Sequence, residues 1–296
     1  MEQASHPAQA IQIDLKRVID SKNPHMRRWM PGFLLRYLER IVHVDEINYV
    51  LRQTHGMPPL EFTTWLLEYM EVKYECIGME NIPREGRFLL ASNHPLGGMD
   101  GLVLIDLFGH HFGRVYFPVN DILTQVPTMR DVFLPINKHG AQKSGDVSRL
   151  LEAYQSDAQM LYFPAGLCSR KGFNGQIRDL EWKSSFVGKC IEYQRDIIPL
   201  HFGGRNSNFF YNLALLRRCL GIRANIEMLY LVDEMYHHRG ARLKVHVGRP
   251  IPWQTLADGR KSRKEWAATL REECYRLPGQ LDGKGPASAG STTRQQ

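Results

Sequence analysis

At 296 residues, 43% hydrophobic and 23% charged, the chain is long enough to bury a large core and too apolar to be disordered throughout. Its apolar runs all fall well short of the roughly 20 residues a membrane-spanning helix needs, and its five cysteines (Cys76, Cys168, Cys190, Cys219, Cys274) show neither metal spacing nor a disulfide rhythm. A formal net charge of +7 favours an anionic partner, whether nucleic acid, acidic lipid headgroups or a phosphorylated substrate, although a solvated basic surface would meet the same count.

The first 75 residues read as an amphipathic helical region. Met1 to Pro7 lacks the basic-then-apolar pattern of a signal peptide, and reduced thiols in a cytosolic protein are expected. Residues 11–19 place apolar side chains at helical spacing. Residues 24–38 interleave arginines with Trp29, Phe33 and Tyr37. That mixture suits a helix lying at the headgroup level of a membrane, and it equally suits a cap packed on the domain that follows. Residues 60–72 read as a further helix, and Asn81-Ile82-Pro83-Arg84-Glu85-Gly86 as the turn that opens an α/β region over 76–277.

Beyond that turn, strands are expected at 88–92, 114–119, 132–136, 160–163, 197–202, 225–231 and 243–248. Helices are expected at 101–108, 144–155, 182–194 and 213–220. The alternation predicts an α/β fold with a mixed, largely parallel sheet flanked by helices. From Pro278 the composition turns to Gly, Ser, Thr, Lys and Gln, which predicts a disordered tail over 278–296.

The chemistry concentrates at Asn93-His94-Pro95-Leu96-Gly97-Gly98-Met99-Asp100-Gly101, between an expected strand and an expected helix. Such junctions are where α/β folds place ligands. Imidazole titrates near neutral pH, so His94 can take a proton from a hydroxyl. Asp100 can hold the other ring nitrogen and fix its tautomer, and Gly97 and Gly98 allow the tight turn that would bring the two together. A packing or capping pair is the plain alternative.

At these residues the sequence resembles the glycerolipid and lysophospholipid acyltransferase superfamily, whose block is Asn-His, four residues, then Asp. Here five residues intervene, and the form Asn-His-Pro-x-Gly-x-x-Asp-Gly is similar to the hemolysin-like, lyso-aminolipid acyltransferase branch. A second block, Asp131 to Lys138, matches a family strand whose end lines the acceptor pocket, with Asn137 and Lys138 where an arginine is usual. A third, Leu161-Tyr162-Phe163-Pro164-Ala165-Gly166-Leu167-Cys168-Ser169-Arg170-Lys171, resembles the Phe-Pro-Glu-Gly-Thr-Arg-Ser loop, with Ala165 in place of Glu and Leu167-Cys168 in place of Thr-Arg. These departures speak against lysophosphatidic acid as acceptor and leave room for a lyso-aminolipid. A fourth block, Asp196 to Gly204, resembles an apolar strand bordering the acyl-chain site, and the polar run Arg205-Asn206-Ser207-Asn208 reads as a surface turn or as one edge of the pocket.

The resemblance implies a glycerol-3-phosphate acyltransferase-like fold with an N-terminal helical cap. It implies His94 as general base and Asp100 as its partner, with Asn93, Gly97, Gly98, Asn137, Lys138, Pro164, Gly166, Ser169, Arg170 and Lys171 at the substrate. The donor would be an acyl carrier protein or coenzyme A thioester and the acceptor a lysolipid hydroxyl. No cofactor is expected. Neither is a metal, since His110-His111 and His237-His238 are adjacent pairs and do not have the i, i+4 spacing of a helical site. The implied setting is the cytoplasmic, inner face of an anionic membrane, with peripheral attachment and no nucleic acid partner. The alternatives are an acyl-thioesterase using the same pair on water, a cysteine nucleophile at Cys168, and a non-catalytic basic surface-binding protein.

Overall fold

Strands that are apolar on both faces belong in the middle of a parallel sheet, and the run at Phe88–Ser92, buried at all five positions, is such a strand. The computed structural model describes residues 12–22, 30–120, 126–136 and 144–282. Most of the Arg-aromatic stretch before Met30, together with Asn137, Lys138 and the tail from 283, lies outside them.

Among the described residues four helices come first: α1 (Leu15–Lys22), α2 (Gly32–Ile41), α3 (Val44–Gln53) and α4 (Pro59–Tyr69). Then follow β1 (Lys73–Ile77), β2 (Phe88–Ser92), α5 (Met99–Phe112), β3 (Val115–Val119), β4 (Phe133–Pro135), α6 (Ser144–Gln155) and β5 (Gln159–Tyr162). A small hairpin, β6 (Arg170–Lys171) and β7 (Ile177–Arg178), precedes α7 (Ser185–Glu192), β8 (Asp196–Phe202) and α8 (Asn208–Cys219). A 3-10 turn (Ile226–Tyr230) runs into α9 (Leu231–His237), and β9 (Arg242–Val247), α10 (Trp253–Leu256) and α11 (Arg263–Leu281) close the chain.

The main sheet has the order β1-β9-β8-β2-β5-β3-β4. Its neighbours are parallel except β8 and β9, which are antiparallel, so the sheet is mixed and largely parallel as the alternation predicts. Side chains alternate across it with the strand period of two. Phe88 and Leu90 join a core with Leu66 of α4 and Val103 and Phe108 of α5. Leu89 and Ala91 join a second core with Phe186 of α7 and Leu270 and Cys274 of α11. Because α4 and β1 belong to this assembly, the core begins earlier in the chain than the expected α/β boundary at 76.

Arg195 is fully buried beneath this frame. Its guanidinium donates to the carbonyls of Ala153, Tyr154 and Ala158 at 2.9 Å, to Phe88 at 3.3 Å, and to Ser156. It therefore satisfies carbonyls that the end of α6 leaves orphaned and ties them to the start of β2.

Three expectations are corrected. Residues 225–231 form the 3-10 turn and the start of α9 where a strand was expected, because Glu227 in their middle turns inward between Arg170 and Arg217. The helix expected from 213 starts at Asn208, since the Ser207 hydroxyl accepts the Phe210 N–H at 3.1 Å as an N-cap. The expected tail begins too early: α11 continues through Pro278 to Leu281, with Leu277 buried and Leu281 close against Gly78.

Candidate active site

β2 lies between β8 and β5, parallel to both, so all three strands release their chains at the same edge of the sheet. Carboxyl ends of parallel strands are where such folds gather ligands. Asn93 locks two of these ends together: its amide donates to the Phe202 carbonyl at 3.0 Å and its carbonyl accepts the Phe202 N–H at 2.6 Å. Asn93 is thus a buried clamp between strands.

His94 follows directly, at the rim. Its Nδ1 lies 2.9 Å from Asp100 Oδ2. The same oxygen accepts the N–H groups of Leu96 at 2.9 Å and Gly97 at 3.3 Å, while Oδ1 accepts that of Gly101 at 2.9 Å. The extra residue between His94 and Asp100 is absorbed in this turn. Gly97 takes φ +90°, which favours glycine, and a Cβ there would stand 2.9 Å from Leu231 Cδ2. With α5 starting at Met99, Asp100 occupies its first turn, where helix N-terminal N–H groups favour a carboxylate.

The imidazole stacks on Phe163 from the loop after β5, with ring centroids 3.9 Å apart and planes at 19°. The Asp100 side chain is wholly buried, whereas that of His94 keeps 14% of its surface exposed. Burial by itself lowers the His94 pKa. The Asp100 carboxylate with its hydrogen bond, and the nearby Cys168 sulfur, outweigh it, and the net direction is well upward.

A second carboxylate holds the backbone from behind. Asp179 Oδ1 accepts the His94 N–H at 3.1 Å and the Ser169 hydroxyl at 2.6 Å, and Oδ2 accepts the Trp182 indole N–H at 2.9 Å. The Ser169 N–H in turn donates to the His94 carbonyl at 2.7 Å. Burial raises the Asp179 pKa despite these donors. Sequence reading passed over Asp179; its one local signal was the indole donor three residues on.

Residues 17–284 match the acyltransferase family. The chain belongs to that family. A lyso-glycine lipid O-acyltransferase of Bacteroides thetaiotaomicron is 45% identical over 267 residues, covering 90% of this chain and 97% of that protein. One of the same name from Phocaeicola vulgatus is 43% identical over 267 residues, covering 90% and 95%. The crystal structure of a 1-acyl-sn-glycerophosphate acyltransferase from Thermotoga maritima aligns with a TM-score of 0.47 at 13% identity, covering 87% of this chain and 100% of that one. The chain is accordingly an acyl-transferring enzyme.

The residues expected at the substrate divide into distinct groups. Gly97 uses its N–H on Asp100, and Gly166 donates to the Phe163 carbonyl at 3.0 Å. Pro164 is buried and its carbonyl accepts the Lys183 N–H at 3.1 Å, so this loop shapes the wall behind the ring. Gly98 lies at the start of α5, beside Met235. Arg170, expected to meet an anionic acceptor, is only 5% exposed and is paired with Glu227 at 3.0 Å. Its Nη1 donates to the Cys168 carbonyl at 2.8 Å, which makes it a brace for the loop behind His94. Lys171 stays half-exposed, with Nζ 3.2 Å from Asn212 Oδ1. It lines an open cleft of about 250 Å³ together with Arg178, Arg218 and Arg271, and Asp179 joins that cleft to the His94 backbone.

Proposed function

We propose that the enzyme moves a fatty acyl group from an acyl carrier protein or coenzyme A thioester to the hydroxyl of a lysolipid, with His94 as general base. The reading is carried by the 2.9 Å contact between His94 Nδ1 and Asp100 Oδ2 at a rim the solvent can reach. With Nδ1 held by Asp100, Nε2 takes the proton from the acceptor hydroxyl. The oxygen then attacks the thioester carbonyl, the tetrahedral oxyanion collapses with cleavage of the C–S bond, and the imidazolium returns the proton to the departing thiolate. Since the Gly97 and Gly166 N–H groups are engaged within the fold, the first turn of α5, from Gly98 onward, is the better source of oxyanion donors.

The names of the two relatives support a lyso-glycine lipid, or another lyso-aminolipid, as the acceptor. The basic cleft beside Lys171 suits an anionic headgroup. The test is an assay of purified protein with long-chain acyl thioesters on each carrier and a panel of lysolipids, including lyso-glycine lipid and lysophosphatidic acid, with products detected by mass. A diacylated product from one lysolipid is expected, lost by about 100-fold or more in a folded His94→Ala variant. Full activity in His94→Ala would refute the role of His94, and free fatty acid as the only product would identify a thioesterase.

A further inference from the structure

The ring of a general base is aimed by its backbone as well as by its side-chain partner, and the backbone of His94 is fixed on both sides. Its N–H donates to Asp179 Oδ1 at 3.1 Å, and its carbonyl accepts the Ser169 N–H at 2.7 Å. The Ser169 hydroxyl donates to the same Oδ1 at 2.6 Å, so one carboxylate oxygen ties the His94 peptide to the loop between β5 and β6. Asp179 Oδ2 takes the Trp182 indole N–H at 2.9 Å. Three donors thus converge on a residue only 3% exposed, and a group that solely accepts is what they require.

Asp179 is itself held from outside. It stands directly after β7; its own N–H donates to the Tyr275 hydroxyl at 2.7 Å, and its carbonyl accepts from Arg271. Both partners lie on α11. Asp100 belongs to the catalytic turn and fixes the ring, whereas Asp179 fixes the peptide from the far side. A general base works only within hydrogen-bond reach of its hydroxyl, and a displacement of about 1 Å costs on the order of 10²-fold in rate.

We infer that Asp179 is a positioning residue for the transfer reaction, acting through the His94 peptide to aim the imidazole between Asp100 and the acceptor hydroxyl. The inference rests on the acyl-transfer reading for His94 as the base. Asparagine at 179 keeps the shape and turns one acceptor into a donor. With its oxygen on His94 and Ser169, its NH2 group faces the Trp182 N–H; turned over, it faces the His94 N–H. Trp182→Phe removes the first of these conflicts.

The test is steady-state kinetics of the full chain with the thioester and lysolipid that the native enzyme uses. Beside it runs an NMR titration of the His94 ring, its signal assigned by its loss in His94→Ala. In Asp179→Asn, with folding checked by circular dichroism, kcat should fall by about tenfold or more while KM stays within about threefold. The break of the pH–rate profile and the His94 titration should both move toward acid, because a ring drawn away from Asp100 loses the contact that holds its proton. In a Trp182→Phe background the loss caused by Asp179→Asn should be about fivefold smaller. Tyr275→Phe removes only the acceptor of the Asp179 N–H and should lower kcat by about threefold; it carries the test should the Asn variants not fold. Native kcat in folded Asp179→Asn overturns the inference, as do equal losses in both backgrounds, a loss confined to KM, or native kcat in Tyr275→Phe where the Asn variants do not fold. A shifted pH break with an unchanged plateau overturns it too, since Asp179 would then act by charge alone. A native chain that transfers nothing rejects the reaction and leaves the His94 titration to decide: movement in Asp179→Asn retains the positioning role, and an unmoved titration overturns it.

Discussion

The general-base role proposed for His94 needs its neutral form, yet against the effect of burial Asp100 at 2.9 Å, with the Cys168 sulfur, holds its pKa well above the ordinary imidazole range. The value of kcat/KM is therefore expected to rise with pH through that raised pKa and to level off above it. In Asp100→Asn the charge is gone, so the break moves toward acid, and the plateau falls by about 10²- to 10⁴-fold because the ring loses its orienting acceptor. A pH–rate profile unchanged in Asp100→Asn would show that the pair does not act together. Stability runs the other way. A pKa raised in the folded state means the His94–Asp100 contact contributes fully below the unfolded value and fades as pH climbs through the folded one. Catalysis and the stabilisation from this contact thus favour opposite sides of one titration.

Single elements are held by groups that look superficial in sequence. Arg195, between a helix and a strand, is buried against five carbonyls from the end of α6 to the start of β2. Burial lowers its pKa to about 10, still well above physiological pH, so it donates as a cation. Arg195→Met would strand those acceptors away from water and is expected to cost about 3 kcal/mol or more in urea unfolding. A loss under about 1 kcal/mol would show that water replaces the guanidinium there. Arg170 tells a similar story: its neighbours in sequence suggested a substrate contact, and Glu227, 57 residues on, turned it into a brace.

For the whole molecule, α11 covers the sheet face opposite α4 and α5, burying Trp266, Ala267, Leu270, Cys274 and Leu277. At about 1.5–3 kcal/mol for each large apolar side chain, removing it exceeds the roughly 5–15 kcal/mol that stabilises a domain. A chain ending before Arg263 is therefore expected to show no cooperative thermal transition, and a sharp melt near the native temperature would assign α11 a peripheral role. The helix also reaches the site, since the Asp179 N–H donates to the Tyr275 hydroxyl at 2.7 Å.

Local pattern alone determined the strands at 88–92 and 197–202 and the helix at 144–155, and it suggested the pairing of His94 with Asp100 that the tertiary structure closes at 2.9 Å. In each case the signal is short-range: apolar runs, helical spacing, or a glycine turn linking two reactive side chains. Tertiary structure decided everything that depends on partners far along the chain. Asp179 reaches His94 across 85 residues, Asn93 reaches Phe202 across 109, and Phe209 of α8 and Tyr37 of α2 meet at Tyr230. The alternation around Glu227 imitates a strand because a buried carboxylate and an exposed one read alike in sequence. Only folding brings the two guanidinium groups that turn Glu227 inward and make the segment helical.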